Sequence, residues 1–590
     1  MRASRTVLAA EPAVASGGMV VAQHQLGALA GLEVLARGGN AVDAAVTTAF
    51  VMGVVQPLMN GIGGGGQMII RDPGGHFSCV DYGMVAPQGA TDDMYKLSGE
   101  MEPMGAATMR LSSRYTWPVV EGSANLTGHS SVAVPGTVSG LSGALEKWGT
   151  MDLKDALGPA IKLARDGFPI GHHFALSLVA GRRNFLQYEG ATPIYYPNGQ
   201  PLATGERLIQ SDYAHTLELI ANGGPDAFYK GEPAQRIAED AAAHGAVLSA
   251  QDFADYRAVI DNPVISTSYR DHDISGAAGP GATTTLIEIL NILSNFDIRL
   301  LGYGTTDTLH IIAEATKLAA VDRFTWLGDT VPDGGPSEAL IDPEYASKRA
   351  AEIGRSASDV EPGDPWDHLG KSVDPNHPAP AGLGPDDGTT HLTTVDANGG
   401  AVSLTQTLHG YSGIVTPGVG AMLNNGMGWF YPGPGTVNSV HPGGRGVHNM
   451  VPVIIEQEGK LKAALGASGG RRIWTAVLQS IIHMVDFDMS LQEAIQTPRI
   501  HVESDAILAD GRFDTSIIEG LRRNGHEVIT TTPRYDSAPF SEPNGIAATE
   551  DGFESGLSPV AKPTVALGLE KGETQIGEID MPGLANDLMP

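Results

Sequence analysis

The sequence predicts a globular α/β protein, and three observations predict it. Hydrophobic residues make up 42% and charged residues 18% of 590 positions, ample material for a large core. Apolar residues recur at helical spacing near the N-terminus and from about residue 141 to 327. After residue 388 the chain turns to strand-like runs joined by Asn-Gly and Glu-Gly turns.

Charge and composition exclude several function classes. Lys and Arg number 37 against 67 Asp and Glu, a net charge of −30 that repels phosphate backbones, so no nucleic-acid partner is expected. No apolar stretch reaches the 18 or so residues of a membrane span, so no membrane partner is expected. The apolar run after Met1-Arg2-Ala3-Ser4-Arg5 stops at Ala10, short for a secretory signal, and a cytoplasmic protein is expected. The single cysteine, Cys79, forbids an intrachain disulfide and a Cys-based zinc site. It sits in an alternating run over 76–81 and reads as a buried strand residue.

Local signals set the elements in order. Leu26, Leu29, Leu32 and Leu35 mark a helix that stops at Gly38-Gly39. Asn40, with Asp43 three residues on, caps a second helix running to about Pro57, small-residue-rich all round and so buried. The glycine run 61–66 precedes a strand over 67–71. It matches G-x-G-x-x-G, but a dinucleotide loop follows a strand and opens a helix, and here the order is reversed. Close backbone packing, or backbone lining a pocket, is expected there instead. From 141 to 327 the pattern is mostly helical, with a capped short helix over 249–255 and an amphipathic one over 309–327. Residues 355–388 hold six prolines and little apolar content, which predicts a flexible loop or linker. Hairpins follow over 391–395 and 401–407, then 453–455 and 461–465. An apolar helix covers 473–485, and Ser490 with Glu493 caps a short one stopped by Pro498.

No H-E-x-x-H, C-x-x-C, EF-hand or P-loop pattern is present, so no metal and no cofactor is expected. The clusters His172-His173 and His441/His448 read as ordinary histidines. Gly466-Ala467-Ser468-Gly469-Gly470 has two readings. It matches a nucleophile elbow on Ser468, which would need Asp486, Asp488 or Asp505 with His501 or His526. Equally, two glycines opening a helix present backbone N–H groups suited to a developing oxyanion. Asp386-Asp387-Gly388-Thr389-Thr390-His391 suggests autoprocessing, because a Thr after a Gly-ending linker can attack its own upstream carbonyl. The Thr so freed carries an α-amine, with a reference pKa of about 7.7–8.0, that can act as its base. Gly-Thr alone is a common dipeptide.

Thr389-Thr390-His391, Val395-Asp396, Asn398-Gly399 and Ala401-Val402-Ser403-Leu404-Thr405-Gln406-Thr407 together resemble the start of the small subunit of the gamma-glutamyltransferase (gamma-glutamyltranspeptidase) family. Asn424-Asn425-Gly426-Met427, Pro442-Gly443-Gly444-Arg445 and 466–470 continue the resemblance in order. In the N-terminal half so do residues 38–45, 61–66, Val134-Pro135-Gly136-Thr137 and Gly167-Phe168-Pro169-Ile170. The resemblance runs from about residue 17 to 580. It implies a four-layer αββα sandwich of the N-terminal-nucleophile hydrolase type, cut between Gly388 and Thr389. Residues 1–388 would be the large subunit and 389–590 the small one, paired as a heterodimer. It also implies Thr389 as nucleophile and base, Thr407 as hydrogen-bond partner of its hydroxyl, and Gly469 and Gly470 as oxyanion hole. The substrate would be a small-molecule amide, with water or an amine as acceptor.

The glutamate-binding positions depart from the resemblance. The family's usual transferases carry an Arg at Gly83, which clamps the substrate α-carboxylate, and a Ser-Ser pair at His448-Asn449. Their amine-binding Asn, Gln and Asp align with His409, Gly426 and Trp429. Each charge-assisted bond so lost is worth roughly 1.5–3 kcal/mol, so γ-glutamyl affinity should fall steeply. Trp429, Phe430 and Tyr411 should make the pocket more aromatic. Arg471, Arg472 or His448 are left to meet a carboxylate, although the two arginines read first as surface residues. The leading expectation is an amide hydrolase or acylase with a non-glutamyl acyl group. A true gamma-glutamyltransferase or glutathione hydrolase is the alternative, followed by a serine hydrolase on Ser468 and an unprocessed binding protein.

Overall fold

A computed structural model describes residues 10–574 except 107–108, 111–113, 332–334, 383–387, 535–537 and 561–562. The N-terminal stretch read for a signal, Asp386 and Asp387 lie outside the described residues. Among those described, fourteen strands build two seven-stranded sheets. In chain order they are β1 (Val14–Ala15), β2 (Gly18–Ala22), β3 (Gly65–Arg71), β4 (Phe77–Tyr82), β5 (Val259–Asn262), β6 (Val264–Tyr269) and β7 (His272–Ala277). The rest are β8 (Gly388–Asp396), β9 (Ala401–His409), β10 (Val453–Gln457), β11 (Lys460–Ser468), β12 (Glu542–Thr549), β13 (Gly552–Gly556) and β14 (Val565–Leu569). One sheet runs β5-β4-β3-β9-β8-β2-β14, the other β1-β13-β12-β11-β10-β7-β6.

Helices α1 (Gln25–Ala36) and α2 (Ala41–Val55) cover the outer face of the first sheet with a core that includes Val46, Phe50, Met68 and Leu404. Helices α3 (Thr283–Leu293), α4 (Thr306–Trp326) and α5 (Ile473–Phe487) cover the second. A smaller core of Met19, Val21, Ile69, Cys79, Val395 and Ile454 joins the two sheets face to face. The fold is the four-layer αββα sandwich. No helix among the described residues is long and apolar enough to cross a membrane.

Most local signals lie where their chemistry put them. Asn40 and Asp43 form a reciprocal capping box, as do Ser249 with Asp252 and Ser490 with Glu493. Asn398-Gly399 turns β8 into β9, and Glu458-Gly459 turns β10 into β11. The glycine run is close backbone packing: a Cβ at Gly63 would lie 2.2 Å from Met422 O, and one at Gly64 2.2 Å from Thr407 O. Cys79 is fully buried, and burial raises its thiol pKa.

The stretch 141–327 is mostly helical, interrupted at 259–277 by β5, β6 and β7. Strands β6 and β7 form a tight hairpin, while β5 pairs with β4 and β7 with β10, partners distant in sequence. Two expectations are corrected. The helix over 309–327 exists as α4, but it is buried nearly all round instead of amphipathic. The reason lies in the second correction: residues 355–382 are no loose tether. They lie over the polar side of α4, where Lys317 donates to Ser358 O at 2.6 Å and Ser358 N to Glu314 Oε2 at 3.1 Å. Gly363 N donates to Asp322 Oδ1 at 2.7 Å, and Ala381 N to Phe324 O at 3.0 Å.

Candidate active site

Thr389 occupies the second position of β8 on the face that looks between the sheets, the parity of His391 and Val395. Strand β9 sets Thr407 directly across from it. Thr389 Oγ1 donates to Thr407 Oγ1 at 3.3 Å. Thr407 Oγ1 donates to the Gly388 carbonyl and accepts from His409 N at 2.7 Å. This geometry depends on an irregularity: the pairing shifts between Gly388 and Thr389, and His409 adopts a φ of +73°. The bulge turns the Gly388 carbonyl toward the Thr407 hydroxyl. Both threonines are 2% exposed.

One row deeper, His391 bridges Thr405 Oγ1 at 2.9 Å and Thr393 Oγ1 at 3.2 Å. Burial pushes its pKa down to about 3, so the ring is neutral. Its backbone N–H donates to Gln23 Oε1 at 3.1 Å, and Gln23 Nε2 donates to Ser468 Oγ at 2.7 Å. Gln23 thereby ties the nucleophile strand to the end of β11. There Gly469 and Gly470 take φ values of +132° and +62°, conformations that other residues adopt only under strain. A Cβ on Gly469 would lie 2.9 Å from Ser541 Cα.

The elbow reading of Ser468 finds no triad. Its hydroxyl donates to Glu542 Oε2 at 3.1 Å. The imidazoles that reading needs are engaged elsewhere: His501 with Thr475 at 2.9 Å and His526 with His310 at 2.7 Å. Asp486 accepts from Tyr269 OH at 2.6 Å, and Asp488 pairs with Arg299 at 3.0 Å.

Five further residues were expected to touch substrate. His409, Trp429 and His448 form one continuous aromatic wall, with ring centroids 5.9 Å and 5.1 Å apart along it. Asn449 follows His448, is 3% exposed, and stands beside Met450, which joins Met84, Trp429 and Phe430 in one apolar cluster. Gly83 lies at the other edge of that cluster, through Met84. Beside it stands a guanidinium that sequence reading missed. Arg445 Nη1 is 3.4 Å from Gly83 O and 3.6 Å from Asp81 Oδ1, and a Cβ on Gly83 would lie 3.8 Å from it. Burial raises the Asp81 carboxyl pKa, and Arg445 opposes that rise. No local pattern could have paired residues 83 and 445.

Two expectations about this wall are corrected. Tyr411 stacks on Phe185 at 4.9 Å, packed against the helix His172–Phe185 and away from the wall. Arg471 and Arg472 are buried, not surface residues: Arg471 pairs with Glu503 at 3.3 Å, and Arg472 Nε donates to Gly469 O at 2.9 Å. His441 and His448 are no cluster, since His441 bonds Asp329 at 3.1 Å.

The structure brings together two histidine groups that no spacing announced. His310, Glu314 and His526 converge, but Lys317 already holds Glu314 at 2.7 Å, which makes a hydrogen-bonded network. His129 and His244 stack at 3.9 Å and share Asp240.

Residues 27–567 match the family model described as Gamma-glutamyltranspeptidase. The chain belongs to the gamma-glutamyltranspeptidase family. It is 37% identical over 554 residues to an acylase ACY 1 proenzyme of Pseudomonas sp. (strain V22), covering 93% of each chain. It is 34% identical over 535 residues to a glutathione hydrolase proenzyme of Escherichia coli (strain K12), covering 88% of this chain and 87% of that one. The crystal structure of a cephalosporin acylase from Bacillus halodurans superposes with a TM-score of 0.81 at 26% identity, covering 95% and 97% of the two chains. The chain is thus an amide-cleaving enzyme of the autoprocessed N-terminal-nucleophile class.

Proposed function

We propose that the chain cuts itself between Gly388 and Thr389, and that Thr389 then cleaves amides whose acyl group lacks the α-amino-acid head of glutamate. One observation carries the first half: the Gly388 carbonyl, the Thr389 hydroxyl and the Thr407 hydroxyl form one hydrogen-bonded group. Thr389 Oγ1 attacks the Gly388 carbonyl carbon, the C–N bond breaks, and the acyl group passes to oxygen as an ester. Water hydrolyses that ester, leaving the Gly388 carboxylate and a free α-amine on Thr389. Residues 1–388 and 389–590 stay together as two subunits because β8 and β9 are the centre of a sheet whose other strands come from both parts.

In turnover the α-amine takes the Oγ1 proton as the oxygen attacks the substrate carbonyl. The backbone N–H groups of Gly469 and Gly470 hold the resulting oxyanion. The leaving amine departs with a proton from the α-ammonium, and water or an amine releases the acyl group from Thr389. Thr407 orients the nucleophile throughout.

The second half rests on the wall. The α-amine of a glutamyl group would meet the rings of His409 and Trp429 in place of the family's carboxylate. Gly83 offers no side chain to an α-carboxylate. Arg445 favours the second reading, a true gamma-glutamyltransferase, since it puts a guanidinium at that edge, but it already answers the buried Asp81. Mass spectrometry of the incubated protein tests the processing step. A fragment of residues 389–590 beginning at Thr389 is expected, and an uncut chain that still turns over amides contradicts the mechanism.

A further inference from the structure

The nucleophile and the glycine pair belong to different sheets. Thr389 lies on β8 of the first, and Gly469 and Gly470 follow β11 of the second. Backbone ladders run within each sheet, so the distance from the attacking hydroxyl to the two N–H groups depends on side chains that cross between them.

Gln23 makes such a crossing at the reaction corner. It follows Ala22, the last residue of β2, and is fully buried. Its Oε1 accepts from His391 N at 3.1 Å, two residues along β8 from Thr389. Its Nε2 donates to Ser468 Oγ at 2.7 Å, one residue before Gly469. One amide therefore spends its acceptor on the nucleophile strand and its donor on the oxyanion loop. Both anchors are themselves fixed. The His391 ring packs on β11, where a Cβ at Gly466 would lie 2.3 Å from His391 Cε1. Ser468 Oγ donates onward to Glu542 Oε2 at 3.1 Å, Ser541 Oγ donates to Ser468 O, and Gln56 Nε2 donates to Gln23 O. Gly469, at a φ of +132°, has no side chain to hold it, so its place comes from these neighbours and from Arg472 Nε on its carbonyl.

The sandwich does not depend on this crossing. Ser403 Oγ also reaches the second sheet, at Leu465 O, 2.9 Å away, and Arg71 Nε meets Glu456 at 2.6 Å. Self-cleavage does not depend on it either. The carbonyl attacked there is that of Gly388, whose oxygen accepts from Thr407 within the first sheet. Turnover alone requires atoms of both sheets at once.

We propose that Gln23 is a positioning residue for turnover: by bonding His391 N in one sheet and Ser468 Oγ in the other, it holds the Gly469 and Gly470 N–H groups at the distance from Thr389 that the oxyanion requires. This rests on Thr389 as nucleophile and on the glycine pair as oxyanion hole. Gln23→Met keeps length and burial but offers neither bond. A small misplacement of reacting groups costs up to about 10² in rate, so kcat of the self-cleaved variant on an acyl anilide should fall at least about tenfold. KM should stay within about twofold of the native value, and the small subunit should still be released. Ser468→Ala cuts the same crossing from its other end and should lower kcat alike. The double variant should fall no further than the worse single one, whereas two independent structural losses would multiply.

If Gln23→Met alone fails to self-cleave, Ser468→Ala decides by the same split of kcat from KM. Native kcat in either self-cleaved variant, a loss carried by KM, losses that multiply, or failure of both variants to self-cleave overturns the proposal. Thr389→Ala and Gly470→Val, measured beside them, separate the failures. If those two are inactive while Gln23→Met turns over normally, the proposal falls and the nucleophile and oxyanion assignments stand. Turnover by either of those two removes its own assignment instead.

Discussion

Two regions of the inter-sheet space differ in how they treat hydrogen bonds. At the Thr389 corner the polar groups answer one another: Thr389 with Thr407, Thr407 with Gly388 and His409, and His391 with Thr405 and Thr393. Across β9 and β3 the buried groups of Gln67 and His448 go unanswered, walled by Trp429 and flanked by arginines. A closed network holds reacting atoms in one geometry, whereas unanswered buried groups carry a desolvation cost. The contrast teaches that the hydrogen-bonded corner and the aromatic wall beside it are built on different terms, one closed and one left open.

The largest expected effect breaks the corner outright. Thr389→Ala removes the hydroxyl that cuts and the hydroxyl that turns over, so denaturing electrophoresis should show one uncut band, and amide hydrolysis should vanish. Next comes the oxyanion site. Gly470→Val puts a β-branched residue at a φ of +62°, which turns the N–H away. Losing one such donor typically lowers kcat by about 10²–10³, and full turnover in a folded Gly470→Val protein would refute the assignment.

A third expectation concerns both regions, since each contains a neutral buried histidine. Burial pushes His391 down from 6.5 to about 3, and His448 likewise, with Arg323 and Arg445 helping at the latter. Unfolded imidazoles bind protons below about 6.5 while these native rings do not, so the unfolded state gains protons as pH falls. Stability is therefore fully present above pH 6.5 and is lost progressively from there toward pH 3. Melting temperature measured between pH 7.5 and 4.5 should fall steadily, and His391→Gln should flatten that limb. An unchanged limb in His391→Gln would mean that His391 is not held neutral. The smallest effect is expected for Gly83→Arg. Arg445 already stands 3.8 Å from where that side chain would begin, and Trp429 still occupies the amine end. Its gain in kcat/KM on γ-glutamyl-p-nitroanilide should stay below about tenfold, or roughly 1.4 kcal/mol.

What was legible in the sequence was local. Asn40 with Asp43, Ser249 with Asp252, the Asn398-Gly399 turn and the glycine run each need only neighbours in the chain to act. Thr389, Thr407 and the Gly469-Gly470 pair were reached through a resemblance spread over many motifs, and the structure brings the two threonines into contact. The missed features depend on distant partners. Strands β5 and β6 are short and half exposed, and β5 and β7 take their places in the sheets from β4 and β10. Arg445 reaches Gly83 across 362 residues, Gln67 meets His448 only where Gly281 leaves room, and Tyr411 turns to Phe185. None of these pairings leaves a spacing to read.

The central claim is that the reaction corner is the family's while the recognition wall is not. The most direct measurement is kcat/KM of the processed enzyme for γ-glutamyl-p-nitroanilide against acyl anilides without an α-amine, side by side. The account predicts that the γ-glutamyl substrate is the poorer by at least about tenfold. A γ-glutamyl substrate better by about tenfold, a gap of roughly 1.4 kcal/mol, would contradict it and establish Arg445 and its neighbours as a rebuilt glutamate site.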